Sequence, residues 1–553
     1  MSLLSWRTRR VRSAVPRPFA LPRRRKTAAA ICASVLVVVS LAACGPDGGG
    51  TTASSSQSGV LTIGMTAGDV PNLDTILASS QGYEGYRFVG NSLYDGLTRF
   101  DLKQGTEIPK VVGGLATSWD IDKATNTWTF HLRSGVTFHD GTPFDADAVI
   151  FNFDRYLNTS AHQYNSAFAA TAASSAAGIA SYRKVDDSTV AITTRGPWSH
   201  LDSDLVFLYI ASPTAVKAHP KDFSLHPVGT GPFVFSSLAR GQQVTFTANP
   251  NYWGGAPKVD KLVLKAMPDV ATRLAALRSG EVNWIEAPNP DDVAGLKKDG
   301  YQVLTNSYDH VWPWIFDLTH KPLDDPRVRR ALNLAIDRQT MASTLLDGTA
   351  EPAAQLAPRA NGAYRAANDT YSYNLTEARK LLAEAGVPNG FSMTVSYPTS
   401  GSGNMQPGPM NQQLQSDLAR IGVRVQLKPI EWAAMLTSFS SGKIPDGADA
   451  INISLTFIQE SIWSTLFAPG APLNVGHYND PAVGALLTQA QSEYDPTRRN
   501  ALYAEIVKKI DEQSPWLVVV NDLNPRALAA DVHGFVQPKS WFVDLTTVAV
   551  NPT

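Results

Sequence analysis

The sequence predicts an α/β protein of several domains, and three observations carry that reading. Two segments share one design, in which a helix closed by glycine leads into a strand: the first closes at Gly386 before 392–397, the second at Gly422 before 423–428. Upstream of about residue 270 the chain is richer in strands. There 127–133 alternates with Trp128, Phe130 and Leu132 on one face, the period of a half-buried strand. Finally, about 500 residues remain once an export leader is set aside, enough for about three domains.

The leader is residues 1–43. It carries nine Arg and Lys residues and no acid, then an apolar run from Thr27 to Ala43. Seventeen apolar residues also sit at the short end of a membrane span, but the small residues before Cys44 fall where a cleavage site belongs. Leu41-Ala42-Ala43-Cys44 resembles the bacterial lipobox, which implies that Cys44 is lipidated and becomes the first residue of the mature chain. Stable anchoring takes about two acyl chains, and a diacylglyceryl group supplies both. Residues 44–59 are dominated by Gly, Ser and Thr and read as a flexible tether with a span of about 20 Å.

Of the two cysteines, Cys32 lies in the leader and Cys44 is the expected lipid site, so disulfides and thiol chemistry are excluded for the mature body. Nine of the 48 bases also lie in the leader. The remaining 39 face 49 acids, a net charge of −10. An acidic protein is a poor partner for nucleic acid, which calls for a basic stripe.

The fold is expected to begin at Val60–Met65, an apolar run that reads as a buried strand. Further strands are expected at 189–193, 243–248 and 261–265, with a helix over 145–157. Past residue 270, the clearest helix starts at Asp324-Asp325-Pro326, a capping acid with proline in the first turn. It places Val328, Ala331, Leu332, Ala335 and Ile336 on one stripe, with Arg327, Arg329 and Arg330 expected to face outward. No fixed-period repeat is visible, which argues against a solenoid or propeller.

The stretch 114–154, GLATSWDIDKATNTWTFHLRSGVTFHDGTPFDADAVIFNFD, resembles the family 5 extracellular solute-binding proteins, the dipeptide- and oligopeptide-binding lipoproteins of ABC importers. Further blocks follow the same order: NSLYDGL at 91–97, VGTGPF at 228–233, NPNYWGG at 249–255 and PLDDPRVRRALNLAID at 322–337. The resemblance implies a two-lobed periplasmic-binding-protein-like fold of class II with an extra β-rich domain on the first lobe. On that basis the first lobe is expected over 60–88, 227–308 and 525–553, the extra domain over 89–226 and the second lobe over 309–524. Solute would sit between the lobes, which close by hinge bending. The implied partners are a small solute, peptide-like or other, the permease subunits of an ABC importer, and the outer face of the cell membrane through the lipid; a monomer is expected. Several of these blocks also read as plain turn chemistry. His139-Asp140-Gly141-Thr142-Pro143 fits a turn before a helix capped by Asp145, and the glycines at 229 and 231 fit either a close backbone approach to ligand or a bend between domains.

A search for catalytic or cofactor motifs supports no enzyme. There is no HExxH, and the ten histidines show no i,i+4 or i,i+2 pair, so neither metal ligation nor a cofactor is supported. The loop 400–404 is neither a phosphate loop nor a nucleophile elbow. The rival classes are an exported hydrolase of peptides or glycans, whose groups can assemble from distant residues, and an envelope scaffold lipoprotein.

Ligands of α/β sheets lie beyond the carboxyl ends of strands, which selects three loops: Thr66 and Asp69 after the first strand, Tyr397 and Thr399 after 392–397, and Thr456, Phe457 and Glu460 after 450–454. Trp312, Trp314, Asp317 and Trp463 join them, the tryptophans serving either as stacking surface or as core. Family members usually have asparagine where Asp317 stands. The acid is therefore either a hinge hydrogen-bonder, favoured by the expected closeness to the crossing, or a counter-charge for a cationic ligand. In the dipeptide- and oligopeptide-binding members a segment resembling W-x-x-D-Y-x-D-P pairs an aspartate with the peptide ammonium, and the matching stretch here places Thr456 at that position with Phe457 beside it. A hydroxyl replaces a counter-charge poorly, so a solute without a free α-amine at this point is expected, with Glu460 or Asp317 as substitutes if the clamp has moved. A shift of the match by a residue or two would leave Thr456 simply packed.

Overall fold

The computed structural model describes residues 59–75, 81–167 and 172–551. The leader, Cys44 and all but the last residue of the expected tether lie outside the described residues.

Two sheets organise the body. The first has seven strands in the order Gln302–Leu304, Arg526–Leu528, Trp284–Glu286, Val60–Met65, Lys261–Ala266, Gln243–Ala248 and Phe233–Ala239. Val60–Met65 lies at its centre because Leu61, Ile63 and Met65 are wholly apolar and fully buried, and it pairs in parallel with both neighbours. The second sheet has six strands in the order Ala350–Pro352, Trp516–Asp522, Trp312–Phe316, Ala450–Asn452, Ser392–Pro398 and Arg424–Ile430. The helix-glycine-strand units supply one of its parallel pairs: helices Leu375–Glu384 and Pro407–Ala419 precede Ser392–Pro398 and Arg424–Ile430, and Ser392–Pro398 also pairs in parallel with Ala450–Asn452. Gly386 and Gly422 adopt φ of +83° and +82°, the left-handed conformation glycine takes without penalty after a helix.

The chain passes from the first sheet to the second through 305–311 and returns through 523–525. A separate antiparallel sheet runs Ala116–Asp122, Thr127–Leu132, Thr189–Thr194, Ile179–Asp186. Its buried face carries Trp128, Phe130 and Leu132, the alternation expected for this strand. Helix Ala146–Leu157 packs on it, with the Asp145 side chain accepting from the Ala148 N–H at 2.9 Å.

Helix Pro326–Ala335 is capped by Asp325 and buries the apolar stripe, but one of its arginines departs from expectation. Arg329 is buried rather than outward-facing. Its guanidinium donates to the carbonyls of Leu323 and Gln513, each at 2.8 Å, and to those of Asp324 and Ser514. Helix Pro496–Gln513 ends at these last acceptors, where carbonyls lack intrahelical donors and the dipole is negative, so a cation is stabilising there. The periodicity of one helix does not report the open end of another.

Gly229 and Gly231 approach backbone rather than a cleft. A Cβ on either would collide with the 92–94 chain, and the Gly231 N–H donates to the Leu93 carbonyl at 3.0 Å.

Candidate functional site

Beside the returning segment 523–525 lies a cavity of about 560 Å³ with walls from both sheets. Thr66 follows Val60–Met65, Glu286 ends Trp284–Glu286, Thr399 follows Ser392–Pro398 and Asp522 ends Trp516–Asp522. Four strand ends thus meet at one opening, the place where α/β sheets bind ligands.

Its floor is ionic. Arg87 bridges Glu84 at 3.0 Å and Glu286 at 2.8 Å, and Arg526 reaches the other oxygen of Glu286 at 2.9 Å, with all four side chains at most 3% exposed. Burial alone would push the Glu286 carboxyl up; Arg526, Arg87 and the Trp284 N–H at 2.6 Å more than offset it and hold it below its ordinary value. Thr66 donates its hydroxyl to Glu84, which fixes the end of the first strand to this network. Arg273 spends its guanidinium on the carbonyls of Met267, Pro268, Glu286 and Ala287.

Two carboxylates on the crossing are less fully committed. Asp522 accepts the Tyr308 hydroxyl at 2.9 Å on one oxygen; the Asn524 N–H and the charges of Arg526 and Arg87 also bear on its carboxylate, and the other oxygen is buried and accepts from no side chain among the described residues. Asp309 accepts from Asn361 at 2.7 Å and from the Phe457 N–H, and it likewise has one buried oxygen that accepts from no side chain among the described residues. Burial pushes the two carboxyls up, to about 6 and about 7 respectively. Nearby, Tyr83 stacks on Trp541 at 5.6 Å, and the buried indole N–H groups of Trp541 and Trp432 have no partner among the described residues.

Away from the crossing, the two halves also touch. Ser199 donates its N–H to the Gln491 carbonyl at 2.8 Å, the Trp198 N–H reaches the Tyr494 hydroxyl at 3.4 Å, and Gln459 donates to Ser175 at 2.8 Å and Asp204 at 3.2 Å.

Of the residues selected from sequence, Thr66 and Thr399 line the cavity. Asp69 is exposed and accepts from the N–H groups of Val70 and Gly241, and Tyr397 lies within the strand Ser392–Pro398 rather than in the loop after it. Trp312 and Trp314 are fully buried core, donating to the Asn404 carbonyl at 3.2 Å and Asn411 at 2.7 Å. Phe457 stacks on Trp463 at 3.9 Å in a second core, so this pair presents no face to the cleft. Asp317 lies at the far end of strand Trp312–Phe316 from the crossing, where it accepts the Thr319 hydroxyl and N–H; it is a turn residue, not a hinge one. Glu460 is held by Arg499 at 2.6 Å, and the Thr456 hydroxyl donates to the Asp309 carbonyl. The residues missed from sequence are Arg87, Arg273, Glu286 and Asp522, which come from distant segments and meet only in the fold.

One grouping of histidines also escaped the spacing search. His219 and His226, seven residues apart, stack at 3.9 Å, and their ring nitrogens lie with an Asp222 oxygen within 4.8 Å of one another on the surface, far in sequence from the cavity segments.

The chain matches the family model described as bacterial extracellular solute-binding proteins, family 5 middle, over residues 110–447. It is 31% identical over 480 residues to heme-binding protein A of Haemophilus influenzae, covering 82% of this chain and 86% of that one. It is 28% identical to the dipeptide-binding protein of Escherichia coli, over 87% and 96% of the two chains. Among solved structures, the ABC transporter-associated periplasmic binding protein DppA of Helicobacter pylori in complex with peptide STSA superposes with a TM-score of 0.79 at 25% identity, over 90% of this chain and 99% of that one. Sequence blocks, two sheets joined by two crossings and a cavity between them agree with one conclusion: the chain belongs to the family 5 bacterial extracellular solute-binding proteins.

Proposed function

We propose that this substrate-binding protein of an ABC importer holds a small peptide-like solute in the 560 Å³ cavity and closes over it about segments 305–311 and 523–525, as a monomer tethered to the outer face of the membrane through Cys44. The observation that carries the reading is that one cavity is walled by both sheets and by the crossing itself, so a bound molecule contacts all the parts that a hinge moves. Its volume falls in the usual range for small-molecule sites, about 300–1,000 Å³. The family is one of substrate-binding transport proteins, not enzymes. The first lobe is then the part built on the seven-stranded sheet, with the antiparallel sheet as its extra domain, and the second lobe the part built on the six-stranded sheet.

The Thr456 position supports a departure from the dipeptide pose. Its hydroxyl is spent on a backbone carbonyl, and Glu460 and Asp317 have partners of their own. A peptide ammonium placed beside Thr456 would find no carboxylate in these three side chains.

Closure must be driven by differential affinity for the closed form, about 5.5 kcal/mol to move a population from 1:99 to 99:1. Scattering on solute-stripped protein is expected to show a larger radius of gyration than on protein saturated with a mixture of short peptides, and mass spectrometry should recover the retained peptide after denaturation. Peptide retention with no change in radius would refute hinge closure. For the anchor, Cys44→Ala is expected to move the protein from the membrane fraction to the medium with its fold intact. Retention of a processed mutant in the membrane would exclude the lipid tether.

A further inference from the structure

The cavity is acidic in a way that the ionic floor does not consume. Its lining carries four acids (Asp269, Glu286, Glu431 and Asp522) against two bases, Arg87 and Arg273. Glu286 is paired twice, and behind the lining Glu84 and Arg526 offset one another. Asp269 and Glu431 stand one on each lip as N-caps of helices Val270–Arg278 and Trp432–Ser440, where their side chains accept from Thr272 and Ala434. Asp522 is different. It is 5% exposed, it sits where the chain leaves the second sheet, and one carboxylate oxygen accepts from no side chain among the described residues. A buried carboxylate oxygen left bare is costly, and a charged donor is the strongest remedy.

Building on the solute-binding reading above, we propose that Asp522 is the anchor for a cationic group of the solute, an ammonium or guanidinium, and that it sets the charge preference of the cleft. The family-type clamp position offers Thr456, so the counter-charge has passed from the loop after Ala450–Asn452 to the crossing. Tyr308 supports the role: by donating to the other oxygen at 2.9 Å it fixes the carboxylate plane while leaving the acceptor face free. Arg87 and Arg526 act on the Asp522 carboxylate through their charges but form no ion pair with it, because both are held by Glu286. The location also links recognition to motion, since a ligand drawn onto Asp522 is drawn against the segment 523–525 about which the lobes would turn.

The test is calorimetric titration of the solute-stripped protein with three blocked tripeptides, acetyl-Ala-X-Ala-amide, in which X is lysine, norleucine or glutamate. The lysine peptide is expected to bind at least about tenfold tighter than the norleucine peptide, the scale of one charged hydrogen bond, and the glutamate peptide weakest. This ranking is read on the unaltered protein and needs no variant to fold. Asp522→Asn, which keeps the shape, is then expected to erase the advantage of the lysine peptide over the norleucine peptide. Equal binding of lysine and norleucine peptides, or a preference for glutamate, overturns the anchor and leaves the solute-binding reading in place. So does a lysine advantage that survives Asp522→Asn, or one removed by Asp309→Asn instead. Failure of all three peptides to bind overturns the peptide-like reading and the anchor with it.

Discussion

Glu286→Gln is expected to destabilise the protein by about 3–5 kcal/mol, because it strips a buried cation of its counter-charge while leaving the cation in place. Glu286 is 1% exposed and is the shared acid of Arg87 and Arg526. Arg87 retains Glu84 in the variant, but Arg526, whose side chain is fully buried, keeps uncharged acceptors alone: the Gln537 side chain at 2.6 Å, the Asn524 side-chain oxygen at 2.9 Å and the Trp541 carbonyl at 3.3 Å. An amide can still accept from Trp284 and from one arginine, so the loss reports charge rather than a missing hydrogen bond. A second substitution makes the point separable: Glu286→Gln with Arg526→Met removes the unpaired cation and is expected to recover part of the loss, since uncharged replacements of a buried pair are often tolerated. Urea unfolding of the three proteins measures both steps, and a single-variant loss below about 1 kcal/mol would mean that water reaches Arg526. The carboxyl titrates in the same sense. Its folded value lies below the unfolded one, so the stability it contributes is present above about pH 4.5 and is lost as pH falls through the folded value.

Much of the architecture could be read from local chemistry, because the signals are local. Asp145 and Asp325 cap the helices that follow them, Gly386 and Gly422 take the left-handed conformation, and Trp128, Phe130 and Leu132 share a buried face. Each depends on residues within a turn or a strand of one another. The site was far less legible. Trp312, Trp314, Phe457 and Trp463 were selected for aromatic area, but the same area packs a core equally well, and the sheet buries all four. Asp317 reads as hinge-adjacent because it is near the crossing in sequence, whereas a five-residue strand, rising about 3.2–3.4 Å per residue, carries it away. Asp522 could not be distinguished in advance, since it ends an apolar strand, Trp516–Asp522, in which nothing marks one polar residue as a ligand contact. What marks it is a bare carboxylate oxygen in a cavity wall, a property of tertiary structure alone.

The contacts across the cleft supply the second large effect, through Asp204. This residue is fully buried at the contact between the halves, where it accepts from the Trp198 indole at 2.7 Å and from Gln459 of the opposite half at 3.2 Å. Burial pushes its carboxyl up to about 8; the Trp198, Ser461 and Gln459 donors oppose the rise, and the Glu460 charge adds to it. The other ionisable groups facing it are His200, 3.7 Å away and pushed down to about 3 by burial and by Arg499, Asp202, raised by burial, and the Glu460–Arg499 pair. At neutral pH Asp204 is therefore protonated in the folded protein and ionised in the unfolded one. Its stabilising contribution is fully present below about pH 4 and is lost as pH rises through about 8. His200 works oppositely, contributing above about pH 6.5 and losing that contribution as pH falls toward about 3, so the two groups penalise opposite ends of the scale. Asp204→Asn imitates the protonated form at every pH. It should match wild type near pH 4 and gain on it steadily above, by about 4–6 kcal/mol at pH 8, at about 1.36 kcal/mol per unit of separation between the folded and unfolded values. Groups distant from Asp204 titrate equally in both proteins, so the difference curve from urea unfolding reports Asp204 together with the neighbours its charge acts on. Gln459 joins this carboxyl to the opposite half, so the solute-free wild type should also open as pH rises from 5 to 8.5 while the variant stays shut, a change that scattering can follow. A flat difference curve would show that Asp204 is already ionised where the halves meet, held by its three donors against the cost of burial.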